Sequence, residues 1–154
     1  MNYAWKRNIV GALVPILLLL LLVTACGAPP PSDPVLVGST WLVSAYQNDD
    51  GELVSVIPPS ITTAQFREGG ELLGTAVCGL YSAAYQSDDT ALTIGSIEVV
   101  PTGEQSCPEN AIKQDRMLLT ALTLAATYEI SGQIMVIYGA DGNPVANLKH
   151  KPVE

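Results

Sequence analysis

Histidine, phenylalanine and basic residues are scarce in this chain of 154 residues. It contains one histidine, one phenylalanine and seven lysines and arginines, against fifteen aspartates and glutamates, which gives a formal net charge of −8. A surface of this sign repels the phosphates of nucleic acids, so we expect no nucleic acid partner. The single histidine, His150, lies in a basic stretch near the C-terminus, where a Ser-His-Asp or Cys-His catalytic arrangement is not expected.

Metal ligands and phosphate-binding motifs are also missing from the sequence. Cys78, Cys107 and His150 show none of the spacing of a zinc site. The acidic clusters at 49–52 and 88–89 lack the alternating oxygen ligands of a calcium loop, so we interpret them as solvated turns. The two glycines within 68–71 are flanked by acids, which would repel phosphate. We therefore predict no metal and no cofactor.

One long apolar run is present, and it lies at the N-terminus. Residues 9–25 are almost wholly apolar, follow the positive pair Lys6-Arg7, and end in Val23-Thr24-Ala25-Cys26. This quartet resembles the lipobox of bacterial lipoproteins, in which small residues give a membrane peptidase access and the cysteine thiol takes a diacylglyceryl group. We predict a signal peptide over 1–25 and lipidation of Cys26. An uncleaved anchor helix and an ordinary secretory signal are the alternatives.

The segment after Cys26 favours the lipoprotein interpretation. Residues 26–34 contain four prolines and no helical pattern, which is typical of a semi-stiff tether. We predict a domain over 35–149 and a short tail over 150–154, held on the extracytoplasmic side of the cell envelope by the lipid. Without residues 1–25, which carry two basic and no acidic side chains, five basic residues face fifteen acids and the net charge becomes −10.

The predicted domain is patterned as short strands separated by turn residues. Strand candidates lie at 36–46, 61–66, 71–75, 80–85, 90–97, 133–138 and 145–149. The four consecutive apolar residues 134–137 indicate a strand covered on both faces. Tyrosines on the strands, at 81, 85, 128 and 138, are interpreted as half-buried packing residues with solvated hydroxyl groups rather than as the lining of a ligand cleft.

One segment, about 107–126, is predicted to be helical. Ser106 and Glu109 have the spacing of a capping box, and Pro108 lies where a first turn tolerates proline. Leucines 118, 119 and 122 and Ala125 recur at helical spacing, as expected of a stripe that faces the core. The fold class is therefore α+β, mainly β: a curled antiparallel, barrel-like sheet with one covering helix.

Cys78 and Cys107 are predicted to form a disulfide. Both lie at strand or helix ends of a domain that is expected to be exported, and export makes pairing possible. Two unpaired, buried thiols are the alternative.

The mature sequence resembles the META domain, a small family that includes heat-inducible bacterial envelope lipoproteins. The likeness is carried by four segments in order: 36–43 with its Gly38-Ser39-Thr40-Trp41 turn, 74–81 around Cys78, 106–108 with the helix that follows, and 128–142. Val77 stands where the family usually has glycine, and Gly79 where it has asparagine. The resemblance implies a barrel-like sheet with a helix and an association with stress, and it implies no settled reaction.

No catalytic residue is predicted. Glu98 and Glu129 are the acids nearest to forming a catalytic pair, and both are expected to be exposed at strand ends. We expect a non-enzymatic, membrane-anchored lipoprotein with an envelope stress-related or binding role. The alternative is a lipid-anchored inhibitor or ligand-binding module, and the protein or small-molecule partner is unknown.

Overall fold

Ten β-strands and one α-helix make up residues 34–103 and 107–152, the part of the chain that the computed structural model describes. The strands are β1 (Thr40–Gln47), β2 (Leu53–Ser55), β3 (Thr63–Arg67), β4 (Glu71–Thr75), β5 (Gly79–Asp88), β6 (Ala91–Ile94), β7 (Glu98–Pro101), β8 (Ala125–Ser131), β9 (Ile134–Gly139) and β10 (Pro144–Lys151). The helix, α1 (Glu109–Thr123), lies between β7 and β8.

Eight of these strands close into an antiparallel barrel. The order around the ring is β1, β3, β4, β5, β6, β8, β9 and β10, and β10 pairs back with β1. The two short strands lie off this ring, with β2 paired to β1 and β7 paired to β5. The predicted fold class, a curled antiparallel sheet with one covering helix, is confirmed.

The barrel interior is filled by alternate side chains of the ring strands. In β1 and β3, Trp41, Ala64 and Phe66 have no exposed surface, while their sequence neighbours face outward. This period-two pattern is what a strand with one buried face requires. An eight-stranded barrel has an interior just wide enough for side chains to fill, so the core is a packed cluster.

Helix α1 packs against β1, β6 and β10. Leu118 and Leu122 are fully buried, which confirms the predicted core-facing stripe at these positions. The helix is shorter than predicted, because Ala125 begins β8 and is buried there as a strand residue. Pro108 is the N-cap and makes no side-chain capping bond, and Ser106 of the predicted capping box lies outside the described residues.

The two ends of the barrel differ in what covers them. The end next to α1, called the helix end, is formed by the turns at 48–52, 76–78 and 140–143. The opposite end, called the anchor end, is formed by the turns at 68–70, 89–90 and 132–133. The N-terminal segment enters at the anchor end, where Leu36 is buried and Gly38 N–H donates to the Phe66 carbonyl at 2.9 Å.

Three sequence predictions about strands are corrected by the structure. The last strand continues to Lys151, two residues past the predicted domain end at 149. The segment 134–137 is not covered on both faces, since Ile134 lies on the outer face and is 44% exposed. The predicted strand at 90–97 ends at Ile94, and β7 resumes the pairing with β5 after a break.

Candidate functional site

Cys78 and Cys107 form a disulfide, with their Cα atoms 5.7 Å apart. Cys78 lies just before β5, and Cys107 lies just before α1. The bond therefore ties the β4–β5 turn to the start of the helix. The predicted pairing is confirmed, and the alternative of two unpaired thiols is wrong.

A second attachment joins the same turn to the helix. The carboxylate of Asp115 in α1 accepts hydrogen bonds from Val77 N–H at 3.0 Å and from Cys78 N–H at 2.7 Å. Asp115 is only 7% exposed. Hydrogen bonds to an ionised acceptor are stronger than neutral ones, so this carboxylate and the disulfide together hold the turn. Both oxygens have backbone donors, which fits a structural role for this acid.

Gln114, the residue before Asp115, binds the loop between β2 and β3. Gln114 is 1% exposed, and its Oε1 accepts a hydrogen bond from Ile57 N–H at 2.7 Å. Burial raises the pKa of the nearby Tyr46 phenol, and the Asp115 carboxylate raises it further, so this hydroxyl stays protonated. Sequence reasoning missed the pair Gln114-Asp115. The signal was present, because both positions share the helical spacing of the buried Ala111, Leu118 and Leu122.

The outer face of β3, β4 and β5 carries a shallow groove of about 260 Å³. It is called the outer groove, and its lining residues are Thr40, Thr63, Gln65, Leu73, Gly74, Thr75, Leu80 and Tyr81. The Thr63 and Thr75 hydroxyl groups are 2.8 Å apart across β3 and β4. Leu80 is 49% exposed and supplies apolar surface. The groove can therefore offer both hydroxyl groups and an aliphatic surface to a ligand.

A second depression, of about 420 Å³, lies on the same outer face. Ser82 forms part of its lining, together with Glu71 and Glu98 from the flanking strands β4 and β7. Ser82 pairs with Leu73 on one side and with Glu98 on the other, so the depression adjoins the outer groove. Glu71 also lies 3.8 Å from Arg67 in an exposed ion pair. This half of the face is acidic and polar.

Comparison with known proteins decides the family. The sequence model of the META domain matches residues 34–152. The chain belongs to the META domain family. This confirms the resemblance predicted from the sequence, and it places His150 and Lys151, which the sequence pattern assigns to a tail, inside the domain.

Two solved structures are similar to this META domain. A protein from Burkholderia xenovorans, solved by NMR, has a TM-score of 0.60 at 17% identity, over 82% of this chain and 99% of that one. A DUF4847 family protein from Bacteroides vulgatus has a TM-score of 0.56 at 14% identity, over 78% and 97% respectively. No curated protein matches the sequence. At these identities the likeness supports the fold alone.

The family departure at Gly79 has a steric explanation. Gly79 is buried, and a Cβ atom placed there would lie 2.5 Å from the Val100 carbonyl oxygen. Real Cβ atoms essentially never come so close, so the asparagine that the family usually carries would require β7 to shift away from β5. The pairing of β7 with β5 thus depends on glycine at this position.

The strand tyrosines of this META domain are of two kinds: Tyr128 and Tyr138 are half-buried, whereas Tyr81 and Tyr85 are buried. Tyr81 and Tyr85 are 2% and 6% exposed, and their hydroxyl groups donate to the Thr63 and Arg67 carbonyls at 2.7 and 2.8 Å. The prediction of half-buried rings with solvated hydroxyl groups is wrong for both, because they span the interior between β5 and β3. Burial raises the pKa of the Tyr81 phenol well above its usual value.

The remaining candidate residues are separated from one another. Glu98 is exposed at the start of β7, as predicted. Glu129 is also exposed, but it lies in the middle of β8 rather than at its end. His150 is part of β10, where its ring packs edge-on against Trp41 at 5.7 Å and its Nδ1 lies 2.9 Å from Gln133 Oε1.

The last candidates to consider are the predicted lipidation site, a metal site and a membrane-spanning helix. Cys26, the predicted lipidation site, lies outside the described residues. Among residues 34–103 and 107–152, no group of three or more histidine, cysteine or acidic side chains is arranged to hold a metal ion. Within the same ranges, no helix has the length and hydrophobicity needed to cross a membrane.

Proposed function

We propose that this protein is a lipid-anchored bacterial envelope protein whose META domain acts by binding, without catalysis, under envelope stress or in support of other envelope components. The signal peptide over 1–25 directs export, and Cys26 carries the lipid. The single observation that best supports export is the disulfide between Cys78 and Cys107, because such bonds persist mainly in oxidising compartments.

The non-enzymatic part of the proposal is supported by where the polar groups lie. The barrel interior is packed with apolar side chains, and both oxygens of the buried Asp115 carboxylate accept backbone hydrogen bonds. The acids that sequence reasoning considered, Glu98 and Glu129, are exposed on different strands. Because the interior is packed and these acids are exposed, the outer surface is the part of the domain that is accessible for binding.

Detergent partitioning of cells that express the full chain tests the anchor. Wild-type protein is expected in the detergent phase, and Cys26→Ser is expected as an uncleaved precursor. Ser32→Ala provides a control, because it changes a residue of the predicted tether without touching the lipidation site or the disulfide. A Cys26→Ser protein that is processed and partitioned like wild type would contradict the proposal.

A second candidate function is a lipid-anchored ligand-binding module or inhibitor. The outer groove favours it, since the Thr63–Thr75 hydroxyl pair and Leu80 form a mixed polar and apolar surface. Leu80→Asp should abolish binding to an envelope partner identified by crosslinking, while Leu53→Asp, at another exposed strand position, should not. Equal binding by wild type and Leu80→Asp would exclude the groove as the binding site.

A further inference from the structure

The outer face of β9, β10 and β1 combines exposed lysines with apolar side chains. Lys149 and Lys151 are exposed on β10. Lys149 pairs with Ile134 on one side and with Leu42 on the other, and Ile134 is 44% exposed. These four side chains, Leu42, Ile134, Lys149 and Lys151, are called the basic face. A surface that mixes cations with apolar side chains is suited to an anionic lipid interface.

Charge is distributed unevenly around the barrel. The chain without residues 1–25 has five basic residues, and two of them are on the basic face. Among the residues that the structure describes, the acids of the anchor end lie elsewhere on the ring: Glu68 and Glu71 are at the β3–β4 turn, and Asp88 and Asp89 are at the β5–β6 turn. Glu129 lies on β8, and its cross-strand partner on β9 is Val136. The basic face is therefore a local exception on a protein that is strongly acidic.

The N-terminal segment enters the barrel beside this face. Thr40, the first residue of β1, pairs with Lys151. Pro34 follows Cys26 by eight residues, a length that spans at most about 28 Å when fully extended. Val35, next to Pro34, is 62% exposed. A lipid on Cys26 would thus hold the anchor end, and the basic face with it, within reach of the membrane surface.

We propose that the basic face docks on the anionic lipid surface to which Cys26 anchors the protein, with Lys149 and Lys151 against lipid phosphates and Ile134 against the interface. This inference rests on the proposed lipid anchor. Docking would direct the outer face of β4 and β5, on the other side of the ring, away from the membrane and toward partners. Each lysine near an anionic surface changes the docking equilibrium by roughly five- to sixfold, so the two together contribute roughly 30-fold.

The test uses the mature lipidated protein in vesicles and needs no added protein label. Trp41 is the one tryptophan outside the predicted signal peptide, and it lies on β1 opposite His150. Energy transfer from Trp41 to dansyl groups on lipid headgroups therefore reports how close this side of the barrel lies to the membrane. The vesicles are phosphatidylcholine alone, or phosphatidylcholine mixed with phosphatidylglycerol.

We expect greater energy transfer in the phosphatidylglycerol vesicles than in the neutral ones. The double variant Lys149→Gln/Lys151→Gln should lower the ratio of docked to undocked protein by roughly 30-fold and remove the difference between vesicles. The matched control, Lys113→Gln/Arg116→Gln, makes the same change in net charge on α1 and should behave as wild type. High salt should act like the lysine variant, because it screens exposed charges.

The possible failures are distinguishable from one another. Flotation in a density gradient shows whether the protein stays with the vesicles. Protein that floats with neither kind of vesicle would contradict the lipid anchor itself. Protein that floats equally with both, and shows the same energy transfer with and without Lys149 and Lys151, would overturn the docking proposal while leaving the anchor in place. A dimer in detergent that Ile134→Asp dissociates would assign this face to a second copy and would also overturn it.

Discussion

The helix end and the anchor end of the barrel are closed by different kinds of interaction. At the helix end, a disulfide, a buried carboxylate and a buried amide fasten α1 to the turns beneath it. At the anchor end, Leu36 enters the core and the Tyr85 hydroxyl donates to the Arg67 carbonyl, and the one ion pair described there, Arg67–Glu71, is exposed, so closure depends mainly on packing and neutral hydrogen bonds. Stability should therefore be more sensitive to single changes at the helix end.

The two ends of the barrel therefore differ in both stability and surface. The helix end contains covalent and charged attachments that resist opening. The anchor end receives the N-terminal segment and presents Lys149 and Lys151 beside it. The predictions below test this comparison, from the largest expected effect to the smallest.

Removing the disulfide should have the largest effect. Cys78→Ala/Cys107→Ala opens a crosslink between residues 29 apart, which should lower the free energy of unfolding by about 3–4 kcal/mol in the chain-entropy treatment. Urea denaturation of both proteins measures this difference. Reduced wild type should match the double variant, and a loss under about 1 kcal/mol would show that the helix end does not depend on the bond.

Asp115→Ala should cause the next largest loss of stability. It leaves the partly buried Val77 and Cys78 N–H groups without an acceptor, which should reduce the free energy of unfolding by about 2–3 kcal/mol. Glu109→Ala is the matched control, since it removes an exposed acid from the same helix and should lose less than about 1 kcal/mol. Equal losses in the two variants would contradict the stabilising role that we assign to the Asp115 hydrogen bonds.

At the anchor end, Tyr85→Phe should cause a smaller loss of stability than Asp115→Ala. It removes the hydrogen bond to the Arg67 carbonyl while keeping the ring against Phe66, and the loss should be about 1 kcal/mol. Hydrogen exchange of the β3–β4 turn should accelerate as well. Tyr138→Phe, on the outer face of β9, is the control and should change little. A larger loss for Tyr85→Phe than for Asp115→Ala would reverse the comparison between the ends.

The smallest expected effect concerns the exposed pair of Asp49 and Arg116. The Arg116 guanidinium, 2.8 Å away, lowers the pKa of the Asp49 carboxyl below its usual value of 3.8. A carboxyl whose folded pKa is lowered stabilises the fold above its unfolded pKa and loses that contribution as pH falls through the folded value. Melting temperatures of wild type and Asp49→Asn should therefore differ slightly at pH 7 and converge once pH falls below the lowered folded pKa of Asp49. A difference that persists there would point to another cause.

The fold was more predictable from the sequence than the attachments at the helix end. Alternating apolar residues and turn glycines indicated the strands, and Leu118 and Leu122 indicated the buried side of α1. Strand β7 was missed, because its residues are all exposed and it has no apolar alternation. The extension of β10 to Lys151 was missed because a basic sequence resembles a tail, whereas pairing with Thr40 fixes it as a strand.

The contacts that define the site depend on long-range geometry. The sequence contains Asp115 and Cys78, but their hydrogen bond joins residues 37 apart and is set by how α1 lies over the β4–β5 turn. The same holds for Tyr81, whose hydroxyl reaches the Thr63 carbonyl across the interior. Composition and periodicity give the side of a strand or helix on which a residue lies, but they do not specify its partner.

The intact mass of the protein extracted from membranes tests the central claim most directly. The account predicts a mature chain that begins at Cys26, carries diacylglyceryl and acyl mass on that residue, and has Cys78 and Cys107 joined as a disulfide. A mature chain that begins at another residue, without lipid, would contradict it.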